Sequence, residues 1–347
     1  MIEIWFAIAS FTIAAYVVLD GWNIGAGALH YLVAKTSDER KLVFQAIGPL
    51  WSWHEVWLIA AGGILFVAFP RVLATAFAGF YLALFMVLWC LLLRGISIEF
   101  RNHLDDPMWR SGWDFLFAVS SFLLAVLLGA AGGNVIRGVP LDATGKFSMA
   151  LFTDFGVRGN VGILDWYTIA VSLYALVCLG AHGATYLAYK TDGPVFERSA
   201  RLSRLLWWCA ILLLPAVSGL TWYVRPELFS GMLARPPAWA GLALVALGIM
   251  MIATRGPNDF RRLLGSCLLL GGLLGTAAAS LFPAMLHSTL DPQFSLTAYN
   301  GASAPYGLKA ALYWWPAAFL LSLTYIAFVL RYYAGKISSP ADTNSPY

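Results

Sequence analysis

The chain has 347 residues, of which 60% are hydrophobic and only 12% are charged. A soluble protein with so few charged residues could not cover its surface with polar groups, so most of the apolar area must face lipid. The net charge of +4 is modest and gives no indication of nucleic-acid binding. The composition therefore predicts an integral membrane protein and excludes an ordinary soluble domain.

Nine apolar segments follow one another along the chain, and most exceed the ~20 residues that cross a hydrocarbon core of ~30 Å. We predict an all-α protein, a single membrane domain over 1–347, with membrane helices near 4–33, 53–70, 72–95, 113–136, 161–189, 203–224, 238–254, 259–286 and 309–334. Only Pro70 and Arg71 separate the second segment from the third, which predicts a tight helical hairpin at that point.

Positive charge is distributed unevenly between the two sets of loops. With nine helices, the loops 34–52, 96–112, 190–202 and 255–262 and the C-terminus lie on one side. They carry 15 of the 22 Lys and Arg residues when Arg94, Arg204 and Arg331, at the adjoining helix ends, are counted with them. Because positive charge marks the cytoplasmic side, we predict that the N-terminus lies outside and the C-terminus in the cytoplasm.

A short internal repeat predicts how the helices are grouped. The run from Tyr31 to Thr36, YLVAKT, returns as YLAYKT from Tyr186 to Thr191. A duplication would give two four-helix bundles, over 1–140 and 155–290, with the last helix, 305–335, at the periphery. The alternative is independent use of Tyr and Lys as anchors at the membrane interface.

Polar residues inside apolar segments are the candidates for function, because each one is costly in lipid. Asp20 lies in the first segment, roughly 24 Å from its outer end at ~1.5 Å per residue, and Asn23 shares its helix face. His54 and Glu55 open the second segment, and His182 lies in the fifth. These groups predict a proton relay near the cytoplasmic boundary, since histidine titrates near neutrality.

Each of these residues also has a structural interpretation. Asp20 and Asn23 could simply hydrogen-bond to a neighbouring helix, and His54 and Glu55 could be solvated. His182, alone on an apolar helix, is best explained as a packing residue. The tryptophans around His54 would then form an interfacial belt.

Metal and haem ligands are poorly represented. The five histidines form no HxxxH pair, and the four cysteines include no CxxC pair. We therefore predict no metal site and no haem held by this chain alone.

An ordered set of motifs resembles subunit II of the cytochrome bd quinol oxidases. The motifs begin with Asp20-Gly-Trp-Asn23 and Gly48-Pro-Leu-Trp51, continue through Glu55-Val-Trp57-Leu, Arg94 with Glu99-Phe-Arg101, and Trp113-Asp114, and end with His182-Gly-Ala-Thr-Tyr186, Phe282-Pro283 and Ser295-Leu-Thr-Ala-Tyr-Asn300. They occur in the family's order and cover essentially the whole chain.

The resemblance implies a haem-free partner of a subunit I that carries haem b and haem d. The complex would oxidise quinol, reduce dioxygen to water and take protons from the cytoplasm, as a heterodimer in the bacterial inner membrane. A structural quinone, lipid and a small accessory subunit are the further partners that the family implies. The resemblance implies proton-path residues at Asp20, Asn23, Ser52, His54 and Glu55, and interface or oxygen-access residues at Trp51, Trp57, Arg94 and Arg101.

The chain departs from the family at two of these positions. Ser52 stands where an acid is common, so either water at Ser52 together with His54 and Glu55 takes over the relay, or this route is not used. Asn23 stands where some members have a second Asp. We expect Asp20→Asn to lower turnover several-fold with a normal haem spectrum, and Glu55→Gln to do less. The alternatives to an oxidase subunit are a polytopic secondary transporter and a purely structural assembly subunit.

Overall fold

Thirteen α-helices occupy most of residues 1–254 and 258–338, the parts of the chain that the computed structural model describes. The start of the predicted 255–262 loop and the chain end beyond 338, where the C-terminus was assigned to the cytoplasm, lie outside these ranges. The helices are α1 Ile2–Ala28, α2 His30–Val33, α3 Ser37–Ile47, α4 Trp51–Ala68, α5 Pro70–Gly79, α6 Tyr81–Phe100, α7 Pro107–Arg137, α8 Trp166–Lys190, α9 Gly193–Val224, α10 Glu227–Ala234, α11 Pro236–Ala253, α12 Asp259–Leu281 and α13 Pro305–Tyr332. Strands β1 Ala284–Leu286 and β2 Leu296–Thr297 pair antiparallel, with a short 3₁₀ turn at Pro292–Phe294 between them.

Nine of the described helices are long and apolar enough to cross a membrane: α1, α4, α6, α7, α8, α9, α11, α12 and α13. The shortest has 18 residues, which corresponds to a length of about 27 Å. This confirms the prediction of an all-α membrane protein with nine spans. The grouping into two four-helix bundles stays a prediction.

The predicted tight hairpin at Pro70 is wrong. A separate ten-residue helix, α5, follows α4, and the third membrane helix begins only at Tyr81. Pro70 takes the first position of α5, where its missing N–H costs nothing and its fixed φ suits a helix start. The proline therefore starts a new helix where a tight turn was expected.

The predicted loops at one end of the bundle are partly helical. Helix α3 lies within the loop 34–52 and begins with a capping box formed by Thr36 and Glu39. Helix α9 starts at Gly193, ten residues before the apolar segment that predicted it. Much of the positive charge assigned to this side is therefore carried on helices that extend beyond the apolar core.

Helix α1 lies at the centre of the molecule and packs against α4, α7, α8 and α12. Its approach to α8 is very close, because a Cβ at Gly25 would lie 1.9 Å from the Leu179 carbonyl oxygen. Gly183 of α8 meets the Gly25 backbone from the other side, where a Cβ would lie 2.3 Å away. Helix α13, in contrast, packs mainly against α4 and leaves most of its side chains exposed.

Candidate functional site

A buried ion-pair cluster joins α1, α4 and α6. Arg94 Nη1 and Nη2 donate to the two carboxylate oxygens of Asp20 over 2.9 and 2.8 Å. Arg94 Nη2 also donates to Glu55 Oε1 over 2.5 Å. The Asp20 and Arg94 side chains are fully buried, whereas Glu55 is 24% exposed. One guanidinium therefore holds two carboxylates, and only one of them reaches the surface of the chain.

The local sequence explains how α4 reaches Arg94. Gly95 follows the arginine, and a Cβ there would lie 3.0 Å from the Trp51 ring. The missing side chain lets Trp51 seat against α6, where its Nε1 donates to Glu99 Oε1 over 3.1 Å. Glu55 lies four residues after Trp51 and thus on the same helix face, which directs it to Arg94.

Asn23 and His54 extend the cluster away from Arg94. The Asn23 amide nitrogen lies 3.0 Å from Asp20 Oδ1 and 2.8 Å from His54 Nδ1. The His54 ring is fully buried between Trp53 and Trp22, at centroid distances of 4.2 and 5.4 Å. We call Asp20, Asn23, His54, Glu55 and Arg94 the carboxylate cluster.

The charge balance of the carboxylate cluster permits proton exchange. With both carboxylates ionised and His54 neutral, the cluster carries one negative charge in a buried, apolar setting. An uncompensated charge in such a place is costly. A proton bound to Glu55 makes the cluster neutral, and Glu55 is the member that reaches the surface. The arrangement can therefore bind and release a proton at Glu55 while Arg94 stays paired with Asp20.

The structure brings together four of the five predicted proton-path residues but not the fifth. Ser52 is exposed in the first turn of α4 and takes no part in the cluster. Arg94, which the charge count placed with a loop, lies inside α6 and supplies the central cation. His182 is separate, with its ring nitrogens against Ser266 Oγ and the Val18 carbonyl, both at 2.8 Å. His54 is neither solvated nor at the surface.

A second buried cluster surrounds Asp114 of α7. Arg101 Nε donates to Asp114 Oδ1 over 2.5 Å, and Arg40 Nε lies 2.9 Å from Oδ2. His30 Nε2 lies 3.4 Å from Oδ1. Through Asp114, this cluster connects the ends of α6 and α7 to α2 and α3. Arg101 is only 1% exposed, so it offers no surface to another subunit. The motif pair Arg101 and Asp114 was visible in the sequence, but their pairing was not.

An ion pair holds α3 against α9 at the same end of the bundle. Arg198 donates from both terminal nitrogens to the Glu39 carboxylate over 2.8 and 2.7 Å. These hydrogen bonds hold the pKa of Glu39 down to about 2. The sequence alone did not predict that Glu39 and Arg198 touch.

An apolar cavity of about 730 Å³ separates α13 from α1 and α4. Trp57 lines it, with its ring 6.2 Å from Phe11 and 6.3 Å from Phe319. The remaining walls are mostly aromatic and aliphatic side chains from the same three helices. Trp57 therefore belongs to this cavity and not to the carboxylate cluster.

Each of the five histidines has at least one ring nitrogen within hydrogen-bond distance of a neighbouring group. His30, His54 and His182 are fully buried, and each is hydrogen-bonded to a neighbouring side chain. His287 Nδ1 lies 3.3 Å from Ser295 Oγ, and His103 Nδ1 lies 2.9 Å from the Glu99 carbonyl. Across residues 1–254 and 258–338, no group of three or more His, Cys, Asp or Glu side chains could hold a metal ion.

Comparison with known proteins supports the oxidase interpretation. The family model described as cytochrome bd terminal oxidase subunit II matches residues 1–333. Cytochrome bd-I ubiquinol oxidase subunit 2 of Escherichia coli (strain K12) is 28% identical over 92% of this chain and 90% of its own length. Cytochrome bd ubiquinol oxidase subunit 2 of Bacillus subtilis (strain 168) is 26% identical over 88% of each.

A solved structure of a bd oxidase has a similar fold. The structure of bd oxidase from Geobacillus thermodenitrificans superposes with a TM-score of 0.75 at 16% identity, covering 96% of this chain and 98% of that chain. Nothing in these comparisons supports the transporter alternative. The family model covers nearly the whole sequence, and the chain belongs to the family of subunit II of the cytochrome bd terminal oxidases.

Proposed function

We propose that this chain is the haem-free partner of a haem-bearing subunit I and that its carboxylate cluster supplies protons for the reduction of dioxygen to water. Its family is that of a quinol oxidase complex, an oxidoreductase with haem cofactors and a further subunit. In our proposal, haem b and haem d lie in that subunit, as the resemblance to the family implies. The observation that carries the proton role is the pair of carboxylates sharing one buried guanidinium.

The orientation of the chain supports the cytoplasm as the source of these protons. We place the N-terminus outside the bacterial inner membrane, because most Lys and Arg residues lie at the opposite end of the bundle. Asp20 lies near the C-terminal end of α1, and Glu55 lies near the N-terminal end of α4. Both carboxylates then lie in the cytoplasmic half of the membrane, where a proton can reach Glu55 first.

The cavity behind α13 supports the second role that the family implies. We propose that it accommodates a structural quinone, since a largely apolar, aromatic-lined cavity suits a quinone ring and its apolar tail. Trp57 would then contact this molecule. Arg94 and Arg101 have internal partners, so we assign them to the stability of this chain instead of to an interface.

The test is Glu55→Gln in the assembled complex. Glutamine keeps the size and still accepts a hydrogen bond from Arg94, but it cannot carry the proton. We expect quinol-dependent oxygen uptake to fall about tenfold with an unchanged haem spectrum. Glu197→Gln, an exposed residue of α9, is the matched control and should leave turnover unchanged.

Substitutions of the two carboxylates test different properties. Asp20→Asn removes the bidentate partner of Arg94, so we expect it to lower the amount of assembled complex as well as the turnover. Glu55→Gln keeps the buried pair intact and isolates the proton chemistry. Full turnover of the Glu55→Gln complex, at high and at low pH, would refute the proton role and leave this chain a structural partner.

A further inference from the structure

Three membrane helices end at one level of the bundle, on the outer side in the orientation proposed above. Arg137, at the end of α7, donates to the carboxylate of Asp165, which caps the start of α8. Arg225, directly after α9, donates from Nη1 to the Ile136 carbonyl oxygen over 2.9 Å. Each of these helices is long and apolar enough to cross a membrane, so their joined ends mark the level where the hydrocarbon region stops.

Four aromatic side chains and one arginine lie together at this level. Trp166 is the first residue of α8, and its ring centroid lies 6.2 Å from that of Tyr223 in the last turn of α9. The Phe155 carbonyl oxygen lies 3.4 Å from the Trp166 backbone nitrogen, and the Phe152 and Phe155 ring centroids are 5.7 Å apart. The Arg158 guanidinium lies 5.6 Å from the centroid of the Tyr223 ring. We call these five residues the outer aromatic surface.

The loop that joins α7 to α8 turns its two phenylalanines outward. Phe152 is 53% exposed and Phe155 is 47% exposed. Phe155 has a φ of 59°, in the left-handed region where a bulky residue is rare. Such a conformation persists only where its surroundings require it, yet neither phenylalanine belongs to a hydrophobic cluster of the described residues. A contact outside the chain therefore has to account for the position of these rings.

We propose that the outer aromatic surface anchors the loop segment 152–158 in the headgroup region of the outer leaflet, where Arg158 binds a lipid phosphate. Aromatic side chains prefer the level of the lipid headgroups. Arg158 is exposed and forms no ion pair with the described carboxylates. A guanidinium that lies over an aromatic ring still has N–H groups at its edge, and these suit a phosphate.

The neighbouring face of α9 favours lipid over a second protein as the partner. Only 11% of the membrane-spanning window of α9 is buried. Trp208 and Leu212, on the helix face that carries Tyr223, are more than half exposed. The outer aromatic surface continues this apolar face and adds the cation of Arg158 where the helix ends. A lipid leaflet has the same order, with apolar chains followed by phosphate groups.

The first test is a spin label at Phe152→Cys in the assembled complex, with the four native cysteines replaced by alanine. The complex is placed in nanodiscs of phosphatidylethanolamine and phosphatidylglycerol in phosphate-free buffer. Molecular oxygen concentrates in lipid and nickel-EDTA-diacetate stays in water, so we expect the label to relax more with oxygen. Ala143→Cys is the control, since it is exposed between Asp142 and Lys146 of the same loop and should favour the nickel reagent.

The other accessibility patterns would overturn the inference. High accessibility of the Phe152 label to the nickel reagent would place the loop in water. Low accessibility to both reagents would mean that a protein covers the surface. In Phe155→Ser, Arg158→Gln the Phe152 label should become severalfold more accessible to the nickel reagent, approaching the Ala143 control. An unchanged accessibility in that variant would show that these two side chains do not anchor the loop.

A second measurement needs no cysteine variant. In native complex labelled with ¹³C at the arginine Cζ, solid-state NMR detects dipolar coupling between a guanidinium carbon and a lipid phosphorus. We expect one coupled arginine signal of the native complex to be absent in Arg158→Gln. The same coupled signals in both samples would overturn the phosphate site. Neither readout uses turnover, so this inference and the proton role can fail separately.

Discussion

The contacts of Arg94 allow the free-energy cost of replacing this residue to be estimated. It is completely buried and forms three charge-assisted hydrogen bonds, two to Asp20 and one to Glu55. Arg94→Met keeps the length of the side chain but leaves the Asp20 carboxylate buried without a counter-charge. Breaking a buried ion pair from one side costs about 3–5 kcal/mol, which corresponds to a factor of ~100 or more in the folded fraction.

The double variant Arg94→Met, Asp20→Asn separates this charge effect from a packing effect. It leaves no full charge in the centre of the cluster, and Glu55, at 24% exposure, can turn to the surface. We expect it to recover about 1.4 kcal/mol or more, roughly a tenfold gain, although it is one substitution further from the native chain. The assay is the yield of haem-bearing complex per membrane, with its midpoint of thermal inactivation. Arg204→Met, at an exposed site on α9, is the matched control and should change stability by less than about 0.5 kcal/mol. A double variant no better assembled than Arg94→Met would refute the reasoning.

Two further predictions concern packing and pH. Gly25→Ala should abolish assembly, because its Cβ would lie 1.9 Å from the Leu179 carbonyl oxygen. The control is Gly132→Ala on α7, where a Cβ has open space and the complex should assemble normally. The measurement is the yield of complex, and a normal yield of Gly25→Ala would refute the close contact. The pKa of Glu39 is lowered to about 2, chiefly by the hydrogen bonds from Arg198, so the ionised carboxylate stabilises the folded chain above pH 4.5. That contribution is lost as pH falls from 4.5 towards 2, and acid unfolding curves of the native and Glu39→Gln complexes should converge over that interval; a constant difference would contradict it.

Four of the five residues of the carboxylate cluster were predicted from the sequence as proton-path residues, and the fifth, Arg94, was not. Asp20, Asn23, His54 and Glu55 were identified as functional candidates because polar groups are costly inside apolar segments. Arg94 was assigned to a loop, because counting charges along the chain does not show that α6 continues to Phe100 with the arginine inside it. Its partner Asp20 lies 74 residues away, and no periodicity links the two.

The purely structural interpretation is correct for His182, partly correct for Asp20 and Asn23, and wrong for His54. Asp20 and Asn23 do hydrogen-bond to neighbouring helices, as the structural interpretation held, yet they do so within a cluster that includes a second carboxylate. His182 is a satisfied packing residue, held by Ser266 and a backbone carbonyl. His54 is fully buried, contrary to the solvated interpretation. Burial depends on which helix faces the ring, and that is a property of the packed bundle.

The sequence by itself determined the class of protein, the nine spans and the family. Each membrane helix needs an apolar segment long enough to cross the hydrocarbon core, so the number of helices can be counted from the sequence. The short helix α5 was missed because Pro70 suits a turn and a helix start equally well. Only the tertiary structure decided which charges meet, since an ion pair forms where two helices touch. Close helix contacts of this kind depend on glycines, which have no side chain. Gly25 lets α1 approach α8, and Gly95 lets the Trp51 ring pack against α6.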